Sequence, residues 1–321
     1  MTTILRACAL ALFLLPSSNS WSQDAWPTKP VKIIVAFGPG GTADTLGRLL
    51  ASELSTALKQ RFFVENRPGN AGSVGSAQVV RSDPDGYTLL IGGAGPLLTG
   101  PAVNPNIGYV TMRDFTHIAM IAGDSFMLGA SNALGAKNFA DLVSIAREKA
   151  LTCGTPGSGS QGHLVLEMIN RAARIKLQPV PYRSAAENMV DLLGSHVDLA
   201  IQPAISMSED VQAGKAVGMA LTSLNRNLAY PDVPTFKELG YPDIHGVAWF
   251  WLAGPKGLPD AIALKLNVEV RRVLKLPRVR EKFSALGLST MDLGPVELKK
   301  FLAAEVSAWG SLAREIGLRV E

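Results

Sequence analysis

Cysteine and histidine are scarce in this chain of 321 residues, which argues against several kinds of function. Two cysteines, Cys8 and Cys153, are too few for the disulfide framework of a small secreted domain. The four histidines are His117, His163, His196 and His245. None shares helical metal-ligand spacing with another candidate ligand, so we predict no metal site and no resident cofactor.

Charge is also sparse and nearly balanced. The chain has 31 basic and 27 acidic residues, a formal net charge of +4. No block of basic residues of the kind that binds nucleic acid is present, so we expect no nucleic-acid partner. A slight positive bias would help to gather small anions.

The N-terminus has no apolar run long enough for a membrane span. The run 7–15 is far shorter than the roughly 20 residues that a membrane-spanning helix needs. Ser20 and Ser22 fit the small residues that precede a cleavage site. We therefore interpret residues 1–22 as a signal peptide that is cleaved near Ser22. The 299 residues that remain would suffice for two domains, with Cys153 as their only cysteine.

Short apolar strands alternate with amphipathic helices along the rest of the chain. Predicted strands cover 31–37, 62–65, 87–91, 115–121, 151–154, 179–182, 197–202, 216–222 and 247–253. Predicted helices cover 42–58, 73–81, 139–149, 162–173, 185–193, 205–213, 259–274, 278–286 and 295–316. This alternation predicts an α/β fold, in which mainly parallel sheets carry helices on both faces.

The alternation restarts once, which predicts two lobes. A second cycle begins after Gly123, and the strand 247–253 would cross back to the first lobe. Lobe 1 is therefore predicted to comprise 23–123 plus 247–321, and lobe 2 to comprise 124–246. Since ligands of open α/β sheets bind beyond the carboxyl ends of the strands, we expect the ligand cleft between the lobes.

The segment 31–44 carries the clearest sign of a binding site, because a buried strand runs through a glycine turn into a helix. Gly38, Gly40 and Gly41 would let the main chain approach a ligand closely. Thr42 or Asp44 could cap the helix, and we favour a capping and loop-ordering role for Asp44 over ligand contact. A helix N-terminus built in this way predicts an anion site.

Similar loops follow other predicted strands, at 92–98, 155–163 and 182–185, and 202–204 forms a further strand end. They are rich in glycine, serine and threonine but poor in acids, bases and metal ligands. Each could be an ordinary turn. Together they are suited to hydrogen bonding without reaction, and four or five charge-assisted bonds of roughly 1.5–3 kcal/mol each would suffice for micromolar binding of a carboxylate.

Two features of the sequence are compatible with an enzyme. The run 157–162 matches the dinucleotide pattern G-x-G-x-x-G, but Glu187, near the position of the expected acid, falls in a predicted helix. Cys153 and His163 could form a nucleophile and base, although no third, orienting group is evident. An enzyme that uses an organic cofactor or a Cys153 nucleophile therefore stays an alternative.

Several longer strings resemble one known family. They are 26–30, 37–44, 64–69, 83–89, 180–182, 191–194 with 197–198, 213–215 and 231–235. Together they resemble the Bug or TctC-like substrate-binding proteins of tripartite tricarboxylate transport systems over essentially the whole mature chain. The resemblance implies a two-lobed periplasmic binding protein, type II-like, that closes on a small carboxylated metabolite and delivers it to a membrane permease.

The resemblance also implies which residues bind. The first Pro-Gly-Gly loop and its second-lobe counterpart would hold a ligand carboxylate, largely through backbone groups and ordered water. The candidates are Pro39, Gly40, Gly41, Thr42 and Asp44 from the first loop, Ser158, Ser160, Gln161 and His163 from the second, and Ala94, Ser184 and Gln202 from the remaining strand ends.

Three positions depart from the family pattern. Gly38 stands where a second proline is usual, Ser184 ends a Tyr-Arg-Ser string in place of Tyr-Lys-Gly, and Gln202 begins a Gln-Pro pair in place of Phe-Asp. The last change removes the obvious partner of a ligand ammonium group, which argues against amino-acid ligands.

These observations predict a periplasmic protein, monomeric and not an enzyme, that binds a small mono- or dicarboxylate and passes it to membrane permease subunits. Besides the enzyme, a ligand-sensing partner of a membrane receptor is the other alternative.

Overall fold

A computed structural model describes residues 26–104 and 106–318. The predicted signal peptide, 1–22, lies outside the described residues. The strands are β1 (Val31–Val35), β2 (Phe62–Asn66), β3 (Thr88–Gly93), β4 (Phe115–Ser131), β5 (Leu151–Thr155), β6 (Leu177–Pro181), β7 (Leu199–Pro203), β8 (Ala216–Leu221) and β9 (Val247–Pro255).

The helices largely follow the predicted pattern. They are α1 (Thr42–Leu58), α2 (Ser73–Val80), α3 (Gly100–Val103), α4 (Thr111–Asp114), α5 (Phe139–Glu148), α6 (Gln161–Ala173), α7 (Ala185–Leu193), α8 (Ser208–Gln212), α9 (Asp260–Leu274), α10 (Pro277–Ala285) and α11 (Pro295–Ile316). A single π-helical turn, Gly95–Thr99, follows β3, and a 3-10 turn, Ala204–Ser206, precedes α8.

Two sheets share the long strand β4. The first has the strand order β2-β1-β3-β9-β4, and the second contains β4, β7, β5 and β6 in that order, with β8 paired to β4 as well. Strand β4 pairs with β9 as far as Ser125, opposite Val247, and with β7 from Phe126, opposite Pro203. The change of partner falls between two adjacent residues, so β4 connects the two halves of an α/β fold.

The sheets are mixed, whereas mainly parallel sheets were predicted. Strand β1 runs parallel to β2 and β3, and β5 runs parallel to β6 and β7. Every described pairing of β4 and β9 is antiparallel. A buried strand is apolar whichever way it runs, so its sequence does not indicate its direction. Strand β4 leads into the second half of the chain, and β9 leads out of it.

Strand β4 extends ten residues beyond its predicted end at residue 121. The prediction ended there because Gly123 and Asp124 are typical of turns and strand breaks. In the structure Gly123 forms an isolated antiparallel bridge with Ser289, and the strand continues. A side chain at Gly123 would lie 2.5 Å from the Trp249 ring, so glycine is needed here for close packing.

One large hydrophobic core and a smaller one support the sheets. Helix α1 shows the principle: Leu46, Leu50 and Leu54 recur every four residues and are buried against the first sheet. Among the described residues, no helix is both long and apolar enough to cross a membrane.

Candidate functional site

The first turns of three helices meet at one cavity between the two sheets. Its empty volume is about 620 Å³, part of it open to solvent. Residues at the N-termini of α1, α6 and α7 line it, together with residues at the ends of β3 and β7. Since each helix N-terminus carries free N–H groups and about half a positive charge, the cavity is suited to an anion.

The loop before α1 contacts the opposite half of the protein. A Cβ at Gly38 would lie only 2.5 Å from Cβ of Ser184, and one at Gly41 would lie 3.5 Å from Cβ of Ala185. Gly40 has φ +86°, a conformation that glycine adopts without strain. The glycines therefore allow the first loop to lie directly against the start of α7.

The N-terminus of α1 is left open. Within the described residues no side chain caps it, and Gly41 is its N-cap residue. The Thr42 hydroxyl donates a hydrogen bond to Oδ2 of Asp124 (3.0 Å) rather than to its own helix. The N–H groups of this first turn are consequently available to a ligand.

The N-terminus of α6 is capped and anchored. Oγ of Ser160 accepts a hydrogen bond from the His163 N–H (3.2 Å), and Nε2 of Gln161 donates to the Val247 carbonyl (2.9 Å). The Val247 contact fixes the amide orientation of Gln161, because a carbonyl accepts only from the NH₂ end. Oε1 of Gln161 is buried without a partner among the described residues.

The N-terminus of α7 is capped in the same way. Oγ of Ser184 accepts from the Glu187 N–H (3.2 Å), which leaves the hydroxyl proton free to donate. The neighbouring Arg183 also lines the cavity but is exposed to solvent. The Tyr182 hydroxyl donates to Oδ2 of Asp191. Among the described residues that line the cavity, Arg183 is the charged one.

Asp124 is a fully buried acid at the point where β4 leaves the first sheet. Besides Thr42, its Oδ2 accepts from the Ile205 N–H (3.2 Å), and its Oδ1 has no partner among the described residues. Burial raises the pKa of Asp124 to about 7, because the charged form is poorly solvated there. One carboxyl group therefore links α1 of the first half to the Ala204–Ser206 turn of the second.

The structure brings seven of the twelve candidate residues to the cavity. They are Gly41, Thr42, Ala94, Ser160, Gln161, Ser184 and Gln202. Gln202 is completely buried, and its Oε1 accepts a hydrogen bond from Nδ2 of Asn188 (3.1 Å). The other five candidates do not line the cavity: Pro39, Gly40, Asp44, Ser158 and His163.

Asp44 holds the first loop instead. It accepts hydrogen bonds from the Gly40 N–H (3.1 Å), from Nε of Arg48 (2.9 Å) and from Nδ2 of Asn66 (2.9 Å). Burial acts to raise its pKa, but these hydrogen bonds and the charge of Arg48 outweigh burial, so its pKa lies below the ordinary value. This geometry fits the loop-ordering role that we favoured, not ligand contact.

His163 braces the second loop in a comparable manner. Its Nδ1 accepts a hydrogen bond from the Gly159 N–H (3.1 Å), and burial lowers its pKa, so the ring is neutral at pH 7. The Gly159 carbonyl in turn accepts from the Thr99 hydroxyl of the first half (2.9 Å). Ser158 lies in a separate small cleft beside Asn70.

Sequence reasoning missed several lining residues. Phe37, Phe126, Arg183 and Ser206 line the cavity but were not among the candidates. Phe37 adjoins the first candidate loop and Arg183 lies within the loop 182–185, which is a signal that could have found them. Phe126 lies in the unexpected continuation of β4, and no pattern placed it at the cleft.

Three consecutive aromatic residues of β9, 249–251, have different surroundings. Trp251 is buried in the core, whereas Phe250 lines the cavity. The Trp249 ring packs edge-on against Phe301.

The Cys153 thiol is a poor candidate nucleophile. It is fully buried in β5, does not line the cavity, and has its pKa raised by burial. A nucleophilic cysteine needs the thiolate form, which this environment disfavours.

The fold and the cavity are those of a two-lobed α/β solute-binding protein. Residues 46–318 match the model of the tripartite tricarboxylate transporter family receptor (TctC), and the chain belongs to that family. The family resemblance inferred from the sequence is thereby confirmed.

Individual relatives agree with this assignment. The chain is similar to protein BugT of Bordetella pertussis, with 30% identity over 100% of this chain and 99% of the relative. It is also similar to a solved R. palustris structure with adipate (31% identity, TM-score 0.88, 92% of this chain and 99% of that one). A third relative is MatC from Rhodopseudomonas palustris with bound malate (28% identity, TM-score 0.84, 89% and 99%).

Proposed function

We propose that this protein is a periplasmic receptor that binds one small organic acid between its two lobes and presents it to membrane permease subunits. The convergence of three helix N-termini on one cavity carries the proposal, because free N–H groups and helix dipoles favour a carboxylate. The adipate and malate in two similar structures support the same ligand class. The signal peptide predicted for residues 1–22 is consistent with export.

We also propose that the protein is not an enzyme. Apart from the guanidinium of Arg183, which stays protonated, the polar side chains at the cavity are hydroxyls and amides, which hold a ligand without transferring protons at neutral pH. His163 is engaged with Gly159, and Cys153 is buried, so neither is placed as a general base or nucleophile towards the cavity.

The two lobes are proposed to comprise 23–123 plus 247–321 and 124–246. Support comes from β4, which changes its pairing partner between Ser125 and Phe126, close to the proposed boundary. The close contact of Gly38 with Ser184 supports a clamp that closes on its ligand. We propose that the clamp acts as a monomer, since all three helix N-termini come from one chain.

Calorimetric titration of the purified mature protein tests the ligand class. We expect at least one member of a panel of benzoate, adipate and malate to bind with 1:1 stoichiometry and micromolar affinity. The matched amides should bind at least about tenfold more weakly, because they lack the charge that the helix N-termini favour. Equal binding of acid and amide, or no binding by any acid, would contradict the proposal.

A further inference from the structure

Apolar side chains form most of the cavity wall beyond the helix N-termini. Three phenyl rings line it, those of Phe37, Phe126 and Phe250, together with the methyl groups of Ala94 and Ala248. Phe126 and Phe250 are only 2% and 4% exposed. A ligand that fills this space therefore places its body against hydrocarbon rather than against hydrogen-bonding groups.

Among the described residues that line the cavity, few could pair with a second charge on the ligand. Arg183 is the charged residue among them, and it is exposed. Since an exposed ion pair contributes little, a second carboxylate at Arg183 would gain about fivefold in affinity at most. The Asp124 carboxyl group accepts a hydrogen bond from Thr42 and does not line the cavity. A ligand ammonium group therefore finds no carboxylate at the cavity wall.

Most polar side chains at the cavity already have partners. The Thr42 hydroxyl is bonded to Asp124, the Tyr182 hydroxyl to Asp191, and Oε1 of Gln202 to Asn188. Two buried polar atoms have no partner among the described residues: Oε1 of Gln161 and Oγ of Ser206. The hydroxyls of Ser160 and Ser184 accept from their own helices and keep a proton to donate. The site can thus satisfy one carboxylate and one or two further polar atoms, but not a chain of hydroxyl groups.

We propose that the cavity selects monocarboxylates with an apolar body, an aromatic ring fitting best, over hydroxylated, amino-bearing and short dicarboxylic acids. This inference rests on the carboxylate-binding function proposed above. A benzoate-like acid would direct its carboxylate to the first turns of the helices and its ring to the phenyl side chains, whose π-faces and edges favour offset or edge-on contacts.

Competitive calorimetry with defined acids tests the selectivity. The probes are benzoate and cyclohexanecarboxylate, which share an apolar body, against malate, citrate and glutamate. We expect both apolar acids to bind at least about tenfold more tightly than each of the polar ones, since the polar acids leave hydroxyl, carboxylate or ammonium groups without partners. Adipate should lie between the two groups, and its affinity should fall by no more than about fivefold in Arg183→Gln.

A pair of variants tests the role of the phenyl rings. Phe126→Leu should weaken benzoate about fivefold while changing malate affinity less than twofold, because only the ring contact is lost. Phe139→Leu is the matched control: Phe139 is also a buried phenylalanine of the second half, but it packs against Phe236 and Tyr241 and does not line the cavity. We expect it to leave both affinities unchanged.

The outcomes separate this inference from the function on which it rests. If malate, citrate or glutamate binds as tightly as benzoate, the selectivity is wrong although the carboxylate receptor stands. If no acid of the panel binds, both are wrong. Should Phe126→Leu fail to fold, the comparison of the acids on the unmodified protein still decides the selectivity.

Discussion

At the scale of single residues, Gly38 and Ser184 explain each other. The family pattern given by the resemblance has proline at position 38 and glycine at position 184. Here glycine stands at 38 and serine at 184, so the side chain comes from the other side of the contact. A Cβ at Gly38 would come within 2.5 Å of Cβ of Ser184. Two positions that are far apart in the sequence are thus in contact across the cleft.

Gly38→Ala should therefore weaken ligand binding by roughly tenfold or more, because the clash opposes the closed arrangement of the first loop and α7. Ser184→Gly alone should cost a few tenths of a kcal/mol in stability, since glycine is an acceptable N-cap. Combining the two should restore most of the affinity that Gly38→Ala loses. A double-mutant cycle by calorimetry measures the coupling, and additive effects would rule it out.

Asp124 gives a prediction of pH dependence. Its folded-state pKa, about 7, lies above the ordinary value of 3.8. Between these two pKa values the folded protein retains a proton that the unfolded chain releases. The resulting contribution to the free energy of unfolding is full below about pH 4 and is lost as the pH rises to about 7. Asp124→Asn mimics the protonated form and should remove this component. Thermal unfolding at pH 5 and pH 8 measures it, and an identical pH dependence in both proteins would show that Asp124 is not its source.

At the scale of elements, the helices were easier to predict than the strands. The bounds of α1, α7 and α11 were predicted as the structure has them, because apolar spacing and N-terminal glycine, serine or proline mark where such helices begin. The full length of β4 was not predictable, since it depends on β9 and Ser289 from remote parts of the sequence.

The candidate site shows the same division. Thr42, Ser160 and Ser184 were predictable, because they begin helices that follow strands. Phe126 was not, because its place at the cavity depends on the continuation of β4. Asp44 and His163 have the chemistry of ligand contacts, and only their partners in the folded protein show that they brace loops.

Helix α6 offers a prediction with a matched control. Ser160→Ala removes its N-cap at the cavity, and Asn138→Ala removes the N-cap of α5, where Oδ1 of Asn138 accepts from the Asp141 N–H (2.9 Å). Each should lower the free energy of unfolding by about 1 kcal/mol. Only Ser160→Ala should also weaken ligand binding, because Asn138 does not line the cavity. Denaturant unfolding and calorimetry together separate the effects, and equal affinities would exclude Ser160 from the binding site.

At the scale of the whole molecule, two sheets joined through β4 hold three helix N-termini around one cavity. Contacts such as Gly38 with Ser184 and Thr99 with Gly159 connect the two halves across it. A ligand that bridges the halves stabilises the closed form only to the extent that it binds that form more tightly than the open one. A carboxylate held from both halves at once meets this condition.

Backbone N–H groups of the first helical turns are proposed to hold the ligand carboxylate. Comparing carboxylate affinity in Thr42→Pro and Thr42→Val tests it most directly. Both variants lose the hydroxyl bond to Asp124, but only proline also removes an N–H, at a helix position where proline is tolerated. We expect Thr42→Pro to bind the carboxylate at least about tenfold more weakly than Thr42→Val, because it loses one charge-assisted hydrogen bond. Equal affinities in two folded variants would contradict it.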